Sequence, residues 1–124
     1  MLTMKVAIAH WENRISPVFD VSDRLLLVEI VNGKEVNRLD IVLTCHGPIE
    51  RAREVYHLGT QVLLCGAISR PMETALSTAG VQVIGFICGD LEDIFNAFIC
   101  GRITDKCYKM PGCNENRAQD EISS

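Results

Sequence analysis

The sequence predicts an α/β domain built on a mixed β-sheet, and three observations carry that expectation. The dipeptide Asn32-Gly33 lies between two strand-like runs, which is a strong hairpin signal. From Gly47 onward, stretches of helical period alternate with short apolar runs, which implies parallel pairing through right-handed crossovers. At 124 residues the chain is the size of one domain, and burying roughly two-thirds of its unfolded surface supports a core without metal or disulfide.

The elements follow in order. "MKVAIAH", Met4 to His10, is short, apolar and β-branched at Val6 and Ile8, and reads as a buried strand. "WENRISPVFDVSD" is polar, is broken by Pro17, and reads as a loop. Arg24–Val31 and Glu35–Leu43 are the two strands of the hairpin. "GPIERAREVYHLG" has apolar residues at Ile49, Ala52, Val55 and Tyr56, with Pro48 suited to a first turn and Gly59 to a stop. "QVLLCG" is a fourth strand. "SRPMETALSTAG" is a helix that turns Met72, Leu76 and Ala79 inward and ends at Gly80. "VQVIGFICG" is a fifth strand. "DLEDIFNAFICG" is a helix with Asp90 as N-cap, an acidic first turn, and the apolar stripe Leu91, Ile94, Phe95 and Phe98. Cys100 stands roughly opposite Leu91 and reads as a bystander. Residues 1–103 are expected to form one α/β domain. Residues 104–124 form a tail that bears cysteines up to Cys113 and is predicted to be disordered beyond it, where "NENRAQDEISS" is polar.

Composition narrows the function. Hydrophobic residues make up 48% and charged residues 23%, an ordinary globular balance. The net charge of −4, with no lysine or arginine run, argues against a general nucleic-acid binder. No apolar stretch has the length of a secretory signal or of a membrane span, so the expected setting is the cytoplasm, with no membrane partner. Thiols stay reduced there, which argues against a disulfide framework for the six cysteines.

Topology places those cysteines. A meander makes the third strand parallel to the first, and the fourth and fifth join it, so four strands finish at one edge of the sheet. The first ends at His10, the third runs into Cys45-His46, the fourth ends at Cys65-Gly66, and the fifth runs into Cys88-Gly89. Ligands of open α/β sheets bind at the carboxyl ends of parallel strands. Thiolate and imidazole suit iron–sulfur clusters, zinc or copper(I). The glycines after Cys65 and Cys88 would let a guest approach the backbone, and Arg14 and Arg70 stand near this edge. The tail segment "CYKMPGC" can reach back, because the 12 residues from Arg102 to Cys113 span up to roughly 40 Å when extended. Its Pro111-Gly112 turn would aim Cys113 at the site, with Cys107 assisting. The candidate ligands are therefore Cys65, Cys88 and Cys113, supported by Cys107, Cys45, His46 and His10.

Together, "MKVAIAH…ISPVFDVSDRLLLVEI", "VLLCGAISRP", "GVQVIGFICGDLEDIFNAFICG" and "MPGC" resemble the dinitrogenase iron–molybdenum cofactor biosynthesis family, which includes NifX-like proteins and the C-terminal domain of NifB. The ending "MPGC" is similar to that of a small stand-alone branch. The resemblance runs from about Met4 to Cys113. It implies a ribonuclease H-like three-layer α/β/α fold, with a five-stranded mixed sheet of order 3-2-1-4-5 in which strand 2 is antiparallel. It also implies a non-enzymatic carrier of metal–sulfur clusters containing iron, molybdenum or both, working with cluster donor or acceptor proteins. Where many members have "GGIG" after the fourth strand, this chain has Cys65-Gly66-Ala67-Ile68. The alternative is a thiol-based redox or zinc-sensing regulatory module, because a position ahead of a helix start, as at Cys65, can lower a thiol pKa. A metal-dependent nuclease of this fold needs carboxylates on the central strands, and "KVAIAH" has none.

Overall fold

The computed structural model describes residues 3–101. Cys107, Cys113 and the tail expected after residue 103 lie outside them. The chain forms β1 (Thr3–Trp11), β2 (Arg14–Ile15), a 3₁₀ turn (Phe19–Val21), β3 (Arg24–Val31), β4 (Lys34–Val42), α1 (Pro48–His57), β5 (Val62–Leu64), α2 (Arg70–Ala79), β6 (Gln82–Ile84) and α3 (Leu91–Ile99). Five strands lie in the order β4-β3-β1-β5-β6, and β2 pairs with β1 off that path. β3 is antiparallel to both β1 and β4, while β5 and β6 run parallel to β1.

The sheet therefore has six strands, not the expected five. The extra strand lies in the stretch read as a loop. Glu12 and Asn13 have φ values of 52° and 63°, as the two central residues of a type I′ hairpin turn require. His10 then pairs with Ile15, and Trp11 with Arg14. Two residues are too few to show the alternation by which a strand is recognised in sequence. Asn32 and Gly33, at φ 53° and 81°, make the same kind of turn where the sequence announces it.

Helices cover both faces. Val6, Ile8, Leu26, Val28, Val62 and Leu64 pack against Leu91, Ile94 and Phe95 of α3. Ala7, Ala9, Leu25, Leu27 and Leu63 pack against Ala52 and Val55 of α1 and against Met72 and Leu76 of α2. β1 is buried on both faces, as its unbroken apolar run implies: Val6 to Ala9 have no exposed surface. Arg38 of β4 ties α3 down. Its guanidinium donates to Glu92 at 2.6 and 2.7 Å and lies 5.4 Å from the centre of the Phe95 ring. Asp90 caps α3 by accepting from the amides of Glu92 and Asp93, and Ser69 caps α2 by accepting from Met72.

The buried face of α1 differs from the expected stripe. Ile49 and Tyr56 are 60% and 52% exposed, whereas Arg51 is fully buried beside Ala52 and Val55. Arg51 Nη1 donates to Cys45 O at 2.9 Å and Nη2 to Phe19 O at 3.1 Å, with the guanidinium 5.0 Å from the centre of the Phe19 ring. Burial lowers its pKa, opposed by the nearby carboxylates of Asp23, Glu54 and Asp20. One side chain thus joins α1, the β4–α1 connection and the 3₁₀ turn.

Replacing Arg51 by Met keeps most of the packing volume and strips both carbonyls of their donor. We expect a loss of about 2–4 kcal/mol in urea unfolding of the full chain. A loss well under 1 kcal/mol would show that Arg51 only fills space.

Candidate functional site

β1, β4, β5 and β6 finish at one edge, and the connections that follow three of them are sewn together by backbone bonds. Ala67 N donates to Pro17 O and Phe19 N to Ala67 O, both at 2.8 Å, so residues 17–19 run beside the loop that follows β5. Phe86 N donates to Gly66 O at 2.8 Å and Ile87 N to Cys65 O at 3.2 Å, joining that loop to the one after β6. Ile15 N donates to Gly89 O at 3.0 Å and Leu91 N to Asn13 O at 2.9 Å, which closes the set. The three connections form a fixed platform where the parallel strands end.

Gly66 makes this platform possible. A Cβ there would stand 2.4 Å from Ser16 O and 2.6 Å from Pro17 O, both backbone atoms that cannot swing away. The space that the sequence suggested for a guest is filled by the chain's own backbone. Gly89 has φ 137°, open to glycine alone without strain, while Phe86 holds φ 60°, an unusual conformation for a bulky side chain.

The candidate residues occupy distinct places. His10, its side chain 12% exposed, faces Asp40 of β4, with Nε2 and Oδ1 2.9 Å apart. It borders a polar cleft of about 360 Å³ shared with Trp11, Ser16, Ser22, Asp23 and Arg24. Cys65 has no exposed surface and packs with Ala9, Phe19, Ile68 and Met72 in the core beneath α1 and α2. Cys88 is half-buried in the loop after β6. Cys45 is also half-buried, and its amide donates to Glu54 Oε1 at 3.0 Å, while His46 is exposed. Desolvation pushes the Glu54 carboxyl up, but the Thr44 amide and hydroxyl and the Cys45 amide donate to it and together lower its pKa. Cys100 sits exposed at the C-cap of α3, away from this edge, as expected of a bystander.

Not all of these residues come together. Backbone bonds make the loops of Cys65 and Cys88 neighbours, and β1 brings His10 beside them. Cys45 and His46 follow β4, the opposite outer strand from β6. Strands about 4.8 Å apart place the ends of those two strands about 19 Å from each other. Among the described residues, no group of three or more His, Cys, Asp and Glu is arranged to hold a metal ion. Sequence reasoning located the shared edge but not the separation along it. It also missed Asp40, Glu54 and the cleft serines. Asp40 offered one signal, a carboxylate inside an otherwise strand-like run.

A mainly apolar groove of about 970 Å³ lies between α1 and α2, bordered by Ile49, Tyr56, Ala75 and Thr78. It contains neither cysteine nor histidine, and so lacks donors for a soft metal.

Burial pushes the Cys65 thiol up to about 12, with Glu73 and Asp20 adding to the effect. The shift is opposite to the lowered pKa that its place ahead of a helix suggested. A thiol that ionises at 9.0 when unfolded and at about 12 when folded favours the fold fully below pH 9, and that contribution is lost as pH rises from 9 to 12. Cys65→Ala should therefore flatten the alkaline loss of stability by up to about 1.4 kcal/mol per pH unit in reduced samples. In the native protein an alkylating reagent should label Cys100 and spare Cys65. Rapid labelling of Cys65, or an unchanged alkaline slope, would contradict its place in the core.

The fold has solved counterparts. PH0822 is 23% identical, with a TM-score of 0.76 over 89% of this chain and 98% of its own. A candidate dinitrogenase from Methanocaldococcus jannaschii, MJ0327, is 20% identical with a TM-score of 0.68, covering 82% and 93% of the two chains. A candidate NifB protein from Thermotoga, TM1290, is 22% identical with a TM-score of 0.64, covering 80% and 90%. At these identities the likeness concerns the fold. No curated protein matches the sequence. The profile of the dinitrogenase iron-molybdenum cofactor family matches residues 3–101, the whole described domain with its platform and the His10, Cys45, Cys65 and Cys88 positions, and the chain belongs to that family.

Proposed function

We propose that the protein binds a metal–sulfur cluster containing iron, molybdenum or both and delivers it to acceptor proteins, without catalysing a reaction. The observation that carries this reading is the platform itself: thiol and imidazole groups stand on and beside interlocked strand-end loops in a chain of the iron-molybdenum cofactor family. We read the three-layer arrangement as ribonuclease H-like, as the family resemblance implies, and the setting as cytoplasmic. A fixed backbone suits a carrier, which must present donors without reorganising around each load.

Access orders the ligands in this proposal. Cys88 is the first, half-exposed beside the loop of Cys65. Cys113 and Cys107 supply further thiolates from the tail. Cys65 joins only if the loops over it part, because its side chain has no exposed surface. His10 adds an imidazole at the neighbouring cleft. Cys45 and His46, at the far margin, contact the cargo only if it is large or engage an acceptor during transfer. Thiolates must lose their protons to ligate, so loading weakens in acid.

Anaerobic reconstitution of the full chain with iron, sulfide and molybdate tests the reading. The expected product absorbs through sulfur-to-metal charge transfer and carries iron or molybdenum by elemental analysis. Cys88→Ser and Cys113→Ser should each lower occupancy at least about tenfold, the effect of about 1.4 kcal/mol of lost binding. Cys100→Ser should load normally. A colourless product with stoichiometric zinc, or full loading of Cys88→Ser, would overturn the proposal.

A further inference from the structure

β4 is an outer strand of nine residues, and among the described residues only β3 pairs with it. Strands left open in this way are normally blunted by charge, a bulge or brevity. Here those devices gather at the hairpin end. Lys34 and Glu35 begin the strand, and the pairing with β3 slips at Glu29/Ile30, leaving Val36 without a direct partner. From Asn37 to Val42 the ladder is regular. Val36, Leu39 and Val42 are 57%, 53% and 59% exposed, although Leu27, opposite Leu39, is buried.

Hydrogen-bond parity states which groups are available. Leu43 N donates to Asp23 O across the end of this ladder. Antiparallel pairs alternate between bonded and non-bonded, so Asn37, Leu39 and Ile41 turn their backbone groups toward β3. The N–H and C=O groups of Arg38, Asp40 and Val42 then point away from the sheet.

We propose that β4 pairs antiparallel with β4 of a second copy of this chain, centred on Leu39, joining two sheets into one. Outward groups must meet outward groups, which leaves few registers. Centring on Arg38 or on Asp40 sets like charges directly opposite each other. Centring on Asn37 brings the irregular stretch into the seam. Centring on Ile41 loses the match between Arg38 and Asp40. Centring on Leu39 sets Arg38 against Asp40 twice and Leu39 against its own copy, where facing side chains are close, and it leaves the irregular residue Val36 only at the two margins of the seam, opposite Val42. The two charged residues are already held in place. Arg38 is held by both Glu92 and Glu35, and Asp40, 60% exposed, is held by His10. The second copy thus meets side chains whose positions are already set.

Sedimentation of the full chain over a concentration series tests this. The wild type should form a dimer. Leu39→Lys and Leu39→Glu should each be monomeric, because each sets like charges together at the centre. An equal mixture of the two should recover dimers as a heterodimer, which also shows that both variants fold. Amide exchange at Arg38 and Asp40 should be slow in the wild type and fast in either variant alone. A wild type that stays monomeric at every accessible concentration, or a dimer that survives Leu39→Lys, overturns the proposal. Protected Arg38 and Asp40 amides in a monomer would also overturn it, since residues outside 3–101 would then occupy the edge.

Discussion

The strand-end edge proposed to carry the cargo depends on a single close approach, in which Gly66 passes the backbone of Ser16 and Pro17 at distances that leave no room for a Cβ. Through that approach the loop after β5 bonds to residues 17–19 on one side and to the loop after β6 on the other. A larger residue would push the first layer away and undo the bonds at Ala67 and Phe19 that depend on it. The same approach sorts the cysteines. It turns Cys65 down into the core beneath α1 and α2, while Cys88, on the outer layer, keeps part of its surface open. Two thiols that look equivalent in sequence, each ending a strand and followed by glycine, thereby acquire different environments. One is a neutral packing group, and the other is accessible to solvent.

Long-range polar contacts hold the remainder to this frame. Arg51 secures α1 to the 3₁₀ turn and to the connection bearing Cys45, and Glu54 receives the amides of Thr44 and Cys45. On the opposite face Arg38 binds α3 through Glu92, and His10 reaches Asp40 across the intervening strand. β4 takes part in the α3 layer through Arg38 and in the α1/α2 layer through Ile41, while among the described residues no strand pairs with its outer side. The proposed binding at the strand ends and the proposed self-association at the outer strand use different parts of the molecule, linked physically by the contact of His10 with Asp40.

The sequence made legible what rests on local chemistry. Asn32-Gly33 announced the hairpin because both positions need left-handed backbone, and Asp90 announced the start of α3 because its carboxylate accepts the first free amides. The succession of strands and helices followed from periodicity and short connections, while the spatial order of the five main-path strands came from the family resemblance and matches β4-β3-β1-β5-β6. What escaped depends on partners distant in the chain. Arg51 resembles any helical surface charge until Phe19 and Cys45 supply carbonyls to it. The short hairpin at Glu12-Asn13 is held by partners distant in the chain, with Ile15 N donating to Gly89 O and Leu91 N to Asn13 O. The strand-end cysteines were correctly placed on one edge, but depth and spacing along it are tertiary properties. These set Cys65 in the core and leave Cys45 on the connection after β4, the outer strand opposite β6.

The central claim is that the interlocked loops at the strand ends are where the cargo sits. Amide resonances of the full chain, compared between the empty protein and the protein loaded anaerobically with a paramagnetic iron–sulfur cargo, test it most directly. The account predicts that broadening centres on residues 85–90 and 65–69, extends to 10–24, and spares the opposite end of the sheet around Asn32-Gly33. Broadening centred on Ile49, Tyr56 and Ala75 in the groove between α1 and α2, with the strand-end loops untouched, would contradict it.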